Sequence, residues 1–246
     1  MKLNCDMGES FGAWTMGNDA DVMPCIDMAS IACGFHASDP VIMRNTVALA
    51  QQHGVSIGAH PSYPDLLGFG RRQFDCTNDE LYAWLGYQIG ALQGICRQQR
   101  AIIDYVKPHG ALYNTMMKDE QVLRTVMQAV KDTAPGCPLV VMAIPHRDPL
   151  NKLANEIGIE LLFEAFSDRA YDDAGFLVNR RIGGAVHGSA DAILRQVQQI
   201  TEQGTVTTLS GKTLKVEADT LCIHGDGPHA SAVAQALGLW RTNGKN

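Results

Sequence analysis

Four short apolar runs end directly in a histidine. Ile31–Cys33 runs into His36, Val55–Ala59 into His60, Ile102–Val106 into His109, and Leu221–Ile223 into His224. A fifth run, Leu139–Ile144, ends in His146. Runs of this length read as buried strands. In parallel α/β proteins the functional site lies where the carboxyl ends of the strands meet. Imidazoles repeated at those ends would line one polar pocket, able to exchange protons near neutral pH or to ligate a metal. Five of the eight histidines follow the pattern, which scattered core histidines explain poorly.

Further reactive groups stand beside these histidines. In Asn4-Cys5-Asp6-Met7-Gly8-Glu9, alternation along a strand puts Asn4 and Asp6 on one face, and Gly8 permits a tight turn that exposes Glu9. A turn or helix-capping role is the competing reading there. In Cys33-Gly34-Phe35-His36 the glycine lets backbone approach a ligand, while Cys33 reads more simply as a small buried hydrophobe than as a nucleophile. The loop after His60 carries Gly68-Phe69-Gly70-Arg71-Arg72. Paired arginines there suit capture of a carboxylate or phosphate by forked donors, against the alternative of a solvated loop. Lys107 and His109 share a face, and a lysine closing a buried strand is costly unless it is paired or catalytic. Glu164, Asp168 and Arg169 follow the next strand, and His224 and Asp226 again fall on one face. A histidine oriented by a carboxylate suits a general base or a metal ligand. His53 belongs to a helix end, where it favours the dipole, and His187 has no evident chemical partner.

Seven strands are expected to position these groups: Lys2–Cys5, Ile26–Cys33, Val55–Ala59, Asp104–Val106, Pro138–Ile144, Leu161–Glu164 and Thr220–Ile223. Helical patterns lie between them at about 40–53, 77–99, 118–133, 148–157 and 188–202, with a last helix at about 228–238. Asp39-Pro40 opens the first of these as N-cap and first-turn proline, and His53-Gly54 closes it. Thr77 and Glu80 form a capping-box pattern at the start of the second. Such alternation predicts a mostly parallel sheet, closed or nearly closed into a barrel, with an open doubly wound sheet as the alternative. Thr205–Val216 alternates with period two around Ser210-Gly211 and reads as a β-hairpin excursion. With no linker and no low-complexity segment, residues 1–246 read as one domain.

The bulk properties narrow the function. With 46% apolar residues the chain can bury a full core, and its formal net charge is −6. No basic stretch resembles a phosphate-backbone footprint, so nucleic acid is not an expected partner. The seven cysteines are widely spaced without a CxxC pair, which fits reduced thiols in a cytoplasmic protein. No signal peptide is expected, and no apolar run approaches the ~20 residues a membrane span needs. Ser210-Gly211-Lys212-Thr213 imitates the end of a P-loop, but Val206 stands where the first glycine belongs and no strand–loop–helix context surrounds it. No GxGxxG fingerprint occurs either, so the chain has no standard nucleotide pocket.

Taken together, six blocks resemble the LamB/YcsF family. They are Asn4-x-Asp6-x-Gly8-Glu9, Ile31 to Ala37, Ile57 to Asp65 with Gly68 to Arg72, Val106 to Asn114, Glu164-x-Phe166-x-Asp168-Arg169-x-Tyr171, and Cys222-x-His224-Gly225-Asp226. They span nearly the whole chain in order. The chain departs from the family pattern at Ser30, usually Asn, and at Ser38, usually Gly; His146 lies outside the family motifs. The resemblance implies a distorted TIM-like (β/α)7 barrel related to the glycoside hydrolase/deacetylase superfamily. It also implies ring opening of 5-oxoproline (pyroglutamate) to L-glutamate driven by ATP, in a 5-oxoprolinase complex with subunits B and C. ATP would then be the cofactor of the complex. Without a nucleotide motif here, much of the activation would fall to the partners.

On that reading Asp6 or Glu9 activates water, and His109 or His224, with Asp226 beside it, gives a proton to the leaving nitrogen. Lys107 and an arginine of the Arg71–Arg72 pair hold a carboxylate or phosphoryl group. His36 and His60 orient water or bind a divalent metal, for which Asp6, His36 and His60 are the candidate ligands. Asn4, Tyr113, Glu164, Asp168 and Arg169 complete the expected substrate-binding set. The alternative is a divalent-metal carbohydrate deacetylase built on Asp6, His36 and His60. A non-catalytic protein that only binds a lactam or a partner is a third reading, which the density of acid, base and cation at the strand ends disfavours.

Overall fold

In the computed structural model, residues 1–223 are described. Seven parallel strands form a closed barrel: β1 (Lys2–Met7), β2 (Met28–Ala32), β3 (Ser56–His60), β4 (Tyr105–Val106), β5 (Leu139–Met142), β6 (Leu161–Phe166) and β9 (Thr220–Ile223). β1 pairs with both β2 and β9, which closes the ring, so the open-sheet alternative is excluded. The expected hairpin is β7 (Thr205–Thr207) against β8 (Thr213–Lys215), and Gly211 takes the positive φ of 91° that its turn requires.

Each strand alternates between two cores. One set of side chains packs outward in a large apolar layer beneath the helices, with Cys5, Met7, Ile31, Ala59, Val106 and Val141 among its members. The other set points along the barrel axis. At the amino-terminal end it forms a small apolar plug of Met28, Tyr105 and Val140 with Leu162. One step further along the strands it turns polar, at Asp6, Ser30, Lys107 and Glu164, all buried. The register leaves little room here: a Cβ on Gly58 would overlap the Tyr105 ring, whose hydroxyl lies 3.1 Å from Ser30 Oγ.

The helices follow the expected caps. Asp39 accepts from the amides of Val41 and Ile42 at the start of α2 (Pro40–His53), and Gly54 ends that helix in the left-handed conformation. The Thr77–Glu80 capping box opens α3 (Asn78–Gln98), worth about 1 kcal/mol by analogy with measured caps. α3 buries Leu81, Leu85, Ile89, Leu92 and Cys96 at helical spacing. It also buries Gln88, which clamps both backbone groups of Ser62 and so fixes the turn after His60. α5 (Glu120–Thr133), α6 (Asp148–Ile157) and α7 (Ala190–Gln198) match expectation, α7 running on as a π-helical turn, Gln199–Gln203. Among the described residues two α-helices have no counterpart in the sequence pattern, α1 (Asp19–Val22) and α4 (Gly110–Met116). The pattern expected at 228–238 lies outside the described residues. Ser38, where the family pattern has glycine, sits at φ +73° in the region that favours glycine.

Candidate active site

Three of the predicted histidines meet at the carboxyl end of the barrel. His36 and His109 stack with ring centroids 3.8 Å apart, and His60 stands edge-on to both. All three are buried. Gly8, at φ +68°, turns the chain after β1 so that Glu9 reaches them. Glu9 Oε1 lies 3.2 Å from His36 Nε2 and 3.5 Å from His109 Nδ1. One ligating atom from each of Glu9, His36, His60 and His109 falls within 4.8 Å of the others. Phe69 caps the cluster edge-on to His36 and His109, with its own backbone at φ +54°. A bulky residue held there is strained, as is common at functional sites.

The hydrogen bonds fix the protons. His60 Nδ1 lies 2.6 Å from the Lys107 carbonyl and His109 Nε2 lies 2.9 Å from the Phe69 carbonyl. A carbonyl only accepts, so both of those ring nitrogens carry hydrogen. The remaining nitrogens, His60 Nε2 and His109 Nδ1, face each other at 2.9 Å. These are the two nitrogens left to share a proton or a metal ion. Burial lowers His109, with His36 and His60 adding to the effect, and burial lowers His36, with His60 adding. Both are thus held neutral, the form that binds metal. His36 Nδ1 is buried with no hydrogen-bond partner among the described residues. The donor set of three imidazoles and one carboxylate fits a divalent transition metal, with the carbonyls of Lys107 and Phe69 orienting two of the rings.

A second network lies beneath. Lys107 Nζ lies 2.9 Å from Asn4 Oδ1, 2.9 Å from Asp6 Oδ1, 2.7 Å from Glu164 Oε1 and 3.2 Å from Cys222 Sγ. Burial alone pushes this ammonium down, but Asp6, Cys222 and Glu164 together outweigh it and hold Lys107 well above its ordinary value. Asp6 joins the two networks, since its Oδ2 lies 3.3 Å from His60 Nε2.

A cavity of about 780 Å³ opens above, lined by Asp6, His60, Lys107, His109, Tyr113, Arg71, Arg72 and Arg169 among others. Nine expected site residues are thus brought together around the Lys107 and histidine networks: Asn4, Asp6, Glu9, His36, His60, Lys107, His109, Tyr113 and Glu164. The structure changes several expected roles. Lys107 does not stand free to clamp a substrate; its protons are already engaged. Asn4 and Glu164 sit behind Lys107, off the cavity wall. The metal-type donor set replaces the expected Asp6 with Glu9 and His109. Arg72 is committed to Asp65, whereas Arg71 lies over the Phe69 ring. Asp168 is only half-buried and does not line the cavity. His146 is exposed, so the fifth strand–histidine unit leaves the pattern. His187 bonds to Gln196, a structural contact. Burial pushes the Cys33 thiol up to about 12, which rules against a nucleophile. His224 and Asp226 lie outside the described residues. Sequence reasoning missed Phe69, Cys222 Sγ and the cavity-lining segment Leu177–Arg181; for Cys222 the signal was its place one alternation before His224.

The LamB/YcsF family profile matches residues 1–243. The chain belongs to the LamB/YcsF family. Its sequence is 54% identical over 235 residues to the 5-oxoprolinase A subunit of Chromohalobacter salexigens, covering 96% of this chain and 94% of that one. A protein of the same name from Pseudomonas fluorescens is also 54% identical over 235 residues, with 96% and 94% covered. The crystal structure of a lactam utilization protein from Thermus thermophilus superposes with a TM-score of 0.89 at 39% identity, covering 99% of this chain and 97% of that one. Among the described residues no helix is long and apolar enough to cross a membrane.

Proposed function

We propose that this chain is the lactam-opening component of a cytoplasmic, ATP-dependent 5-oxoprolinase. It works with subunits B and C to convert 5-oxoproline to L-glutamate. The observation that carries the reading is the 54% identity, over nearly the whole chain, to proteins named as the A subunit of 5-oxoprolinase. The pocket supports it with an acid, a cluster of bases and cations facing one cavity. A five-membered lactam is a stable amide, and phosphorylating its oxygen makes the ring carbon electrophilic, so coupling to ATP has a chemical reason.

Water adds to the O-phosphorylated ring carbon, the C–N bond breaks as the nitrogen takes a proton, and a second water cleaves the resulting acyl phosphate, releasing inorganic phosphate and the free carboxylate of glutamate. We assign the proton taken by nitrogen to Asp6. Its Oδ1 is pinned by Lys107, while Oδ2 points to His60 at the cavity floor. The Nε2 proton of His109 is committed to the Phe69 carbonyl, which favours Asp6 as the group that takes the water proton and returns it to nitrogen. Lys107 balances the charge of Asp6 and Glu164. Glu9, His36, His60 and His109 would hold a divalent metal, which when bound supplies Lewis acidity to a carbonyl or water oxygen. Tyr113 and Arg71 line the cavity wall, which supports their assignment to substrate binding. The carbohydrate deacetylase reading is not favoured, because the relatives sharing half of this sequence are named for 5-oxoprolinase.

The test is 5-oxoproline-dependent ATP hydrolysis and glutamate release, with and without the two partner proteins. Asp6→Asn should lose at least about a hundredfold in turnover, within the range for a general acid–base group, and His109→Ala at least about tenfold, as perturbed metal sites do. Near-normal turnover in both would refute the assignment.

A further inference from the structure

The sequence pattern assigns a substrate anion to Lys107 and the Arg71–Arg72 pair, and the structure commits those groups elsewhere. Lys107 is paired with Asp6 and Glu164, and Arg72 with Asp65. Arg71 holds its guanidinium 4.9 Å over the Phe69 ring. An acid that enters this cavity therefore needs another receptor. Arg169 lines the same cavity and is only 5% exposed.

Arg169 is held at both ends. Its backbone carbonyl accepts from Gln196 Nε2 at 2.9 Å, and that of Phe166 from the same nitrogen at 2.8 Å. Its Nε donates to the Ala185 carbonyl at 3.3 Å and its Nη2 to the Val178 carbonyl at 2.6 Å. Ala170, Val178 and Ala185 pack together beside these bonds, and the Ala170 and Val178 amides tie the three segments at 3.0 Å each. The guanidinium plane is thus fixed without any ligand. Of its five N–H donors, two on Nη1 and one on Nη2 are left over. No carboxylate takes them: among the described residues Arg169 forms no ion pair, and the neighbouring Asp168 acts on it as a charge without a hydrogen bond. A nearly buried, permanent charge with no anion beside it is costly. Bridging carbonyls does not require that charge, since the neutral amide of Gln196 does the same in this wall.

We propose that Arg169 is the receptor for the carboxylate of 5-oxoproline, which it binds through the remaining donors of Nη1 and Nη2. A planar carboxylate of one charge matches one planar guanidinium both in charge and in two-point geometry. Arg169 and Asp6 line the same cavity, so a lactam held by its carboxylate presents its amide to the space that Asp6 faces. The proposal rests on the lactam-opening reading of this cavity and adds the residue that selects an acid over a neutral lactam.

Isothermal titration of the complete chain with 5-oxoproline and with 5-oxoprolinamide tests it, the second compound keeping the ring and replacing the carboxylate by a neutral amide. The wild type should bind the acid at least about tenfold more tightly, the size of a charge-assisted hydrogen-bond contribution. Arg169→Gln should lose that factor for the acid and bind the amide as the wild type does. Arg169→Lys, which keeps the charge without the fork, should fall between the two. Equal affinity of the wild type for both compounds, or no binding of the acid, overturns the proposal. So does a folded Arg169→Gln chain that keeps the preference, or one that loses both compounds equally, as a mere strut for the wall would. If Arg169→Gln does not fold, a wild-type preference in Arg169→Lys overturns it. Turnover of 5-oxoproline by the complex, with the preference intact in Arg169→Gln, refutes the receptor alone. Collapse of the preference in Arg169→Gln, with no ATP-dependent turnover by the wild type and its partners, refutes the function alone.

Discussion

Replacing Lys107 with methionine removes the ammonium on which the buried groups beneath the cavity floor converge. Methionine keeps most of the volume, so packing is little changed and the electrostatic cost is isolated. The variant leaves Asp6, 8% exposed, and Glu164, fully buried, without the cation that stands 2.9 and 2.7 Å from them. Breaking a buried ion pair by deleting one partner costs about 3–5 kcal/mol, because the surviving charge is left in low dielectric. Here two carboxylates survive, so Lys107→Met should fall at the upper end of that range. Urea unfolding followed by circular dichroism reads the loss as a lowered midpoint at unchanged slope. The double variant Lys107→Met/Glu164→Gln removes one stranded charge and should recover on the order of 1–3 kcal/mol, the size of coupling between contacting groups. A loss below about 1 kcal/mol, the level of an exposed pair, would refute the charge-hub reasoning. Strict additivity of the two substitutions would refute it as well.

Other consequences are open to measurement. The chain should bind one zinc or manganese ion, and Glu9→Gln or His60→Ala should each weaken binding at least about tenfold, as perturbed metal sites do; titration showing wild-type affinity in both variants would exclude the donor set. Asp65→Asn should cost about 1.5–3 kcal/mol, since the carboxylate accepts from Arg72 and the Gly68 amide. The Arg72 side chain, against opposing burial, holds Asp65 below the usual carboxylate range. Its folded value is thus below its unfolded one, so this stabilisation is complete above about pH 4 and fades as pH falls further; a difference that grows on acidification would contradict it. Gly70→Ala places a Cβ 2.8 Å from His109 Cδ2 and from His36 Cβ at a backbone φ of +63°, so turnover should fall and stability drop by about 1–3 kcal/mol; wild-type values for both would refute the close approach. Ser38→Gly relieves a left-handed serine and should raise stability by about 0.5–1 kcal/mol in the same urea assay, a loss counting against the strain.

The strands were legible because each apolar run is bounded by polar or turn residues, and the caps at Asp39 and Thr77 obey local rules that need no tertiary context. α4 was not legible. It starts at Gly110 with φ +56°, directly after Pro108-His109, and a Cβ there would strike the Gly70 carbonyl. That helix begins where the arginine loop docks, a contact between segments 40 residues apart. The histidines at strand ends were visible as a pattern, but their grouping depends on where each strand stops. β5 ends at Met142, and by residue 146 the chain has turned outward, which exposes His146. The pairing requirement of Lys107 was readable from its type and burial. Its partners were not, since Asp6 and Cys222 lie 101 and 115 positions away and only closure of the barrel brings them in.

Asp6 decides how the site variants should be read. One oxygen belongs to the ammonium hub and the other to the histidine cluster, at 2.9 and 3.3 Å. At the Lys107–Asp6 separation unit charges interact by at least about 4 kcal/mol even with an effective dielectric near 20. Neutralising Asp6 therefore disturbs the balance of Lys107 and the field at His60 together. Loss of turnover in Asp6→Asn is consistent with a missing base, but equally with a displaced hub. Glu164 separates the two accounts, because it shares Lys107 with Asp6 yet lies off the cavity wall. A hub effect must follow either carboxylate, whereas proton transfer at the cavity floor can depend on Asp6 alone. On the proposed mechanism the barrel keeps a structural acid and a reacting acid on one lysine, and their different exposure to the cavity tells them apart.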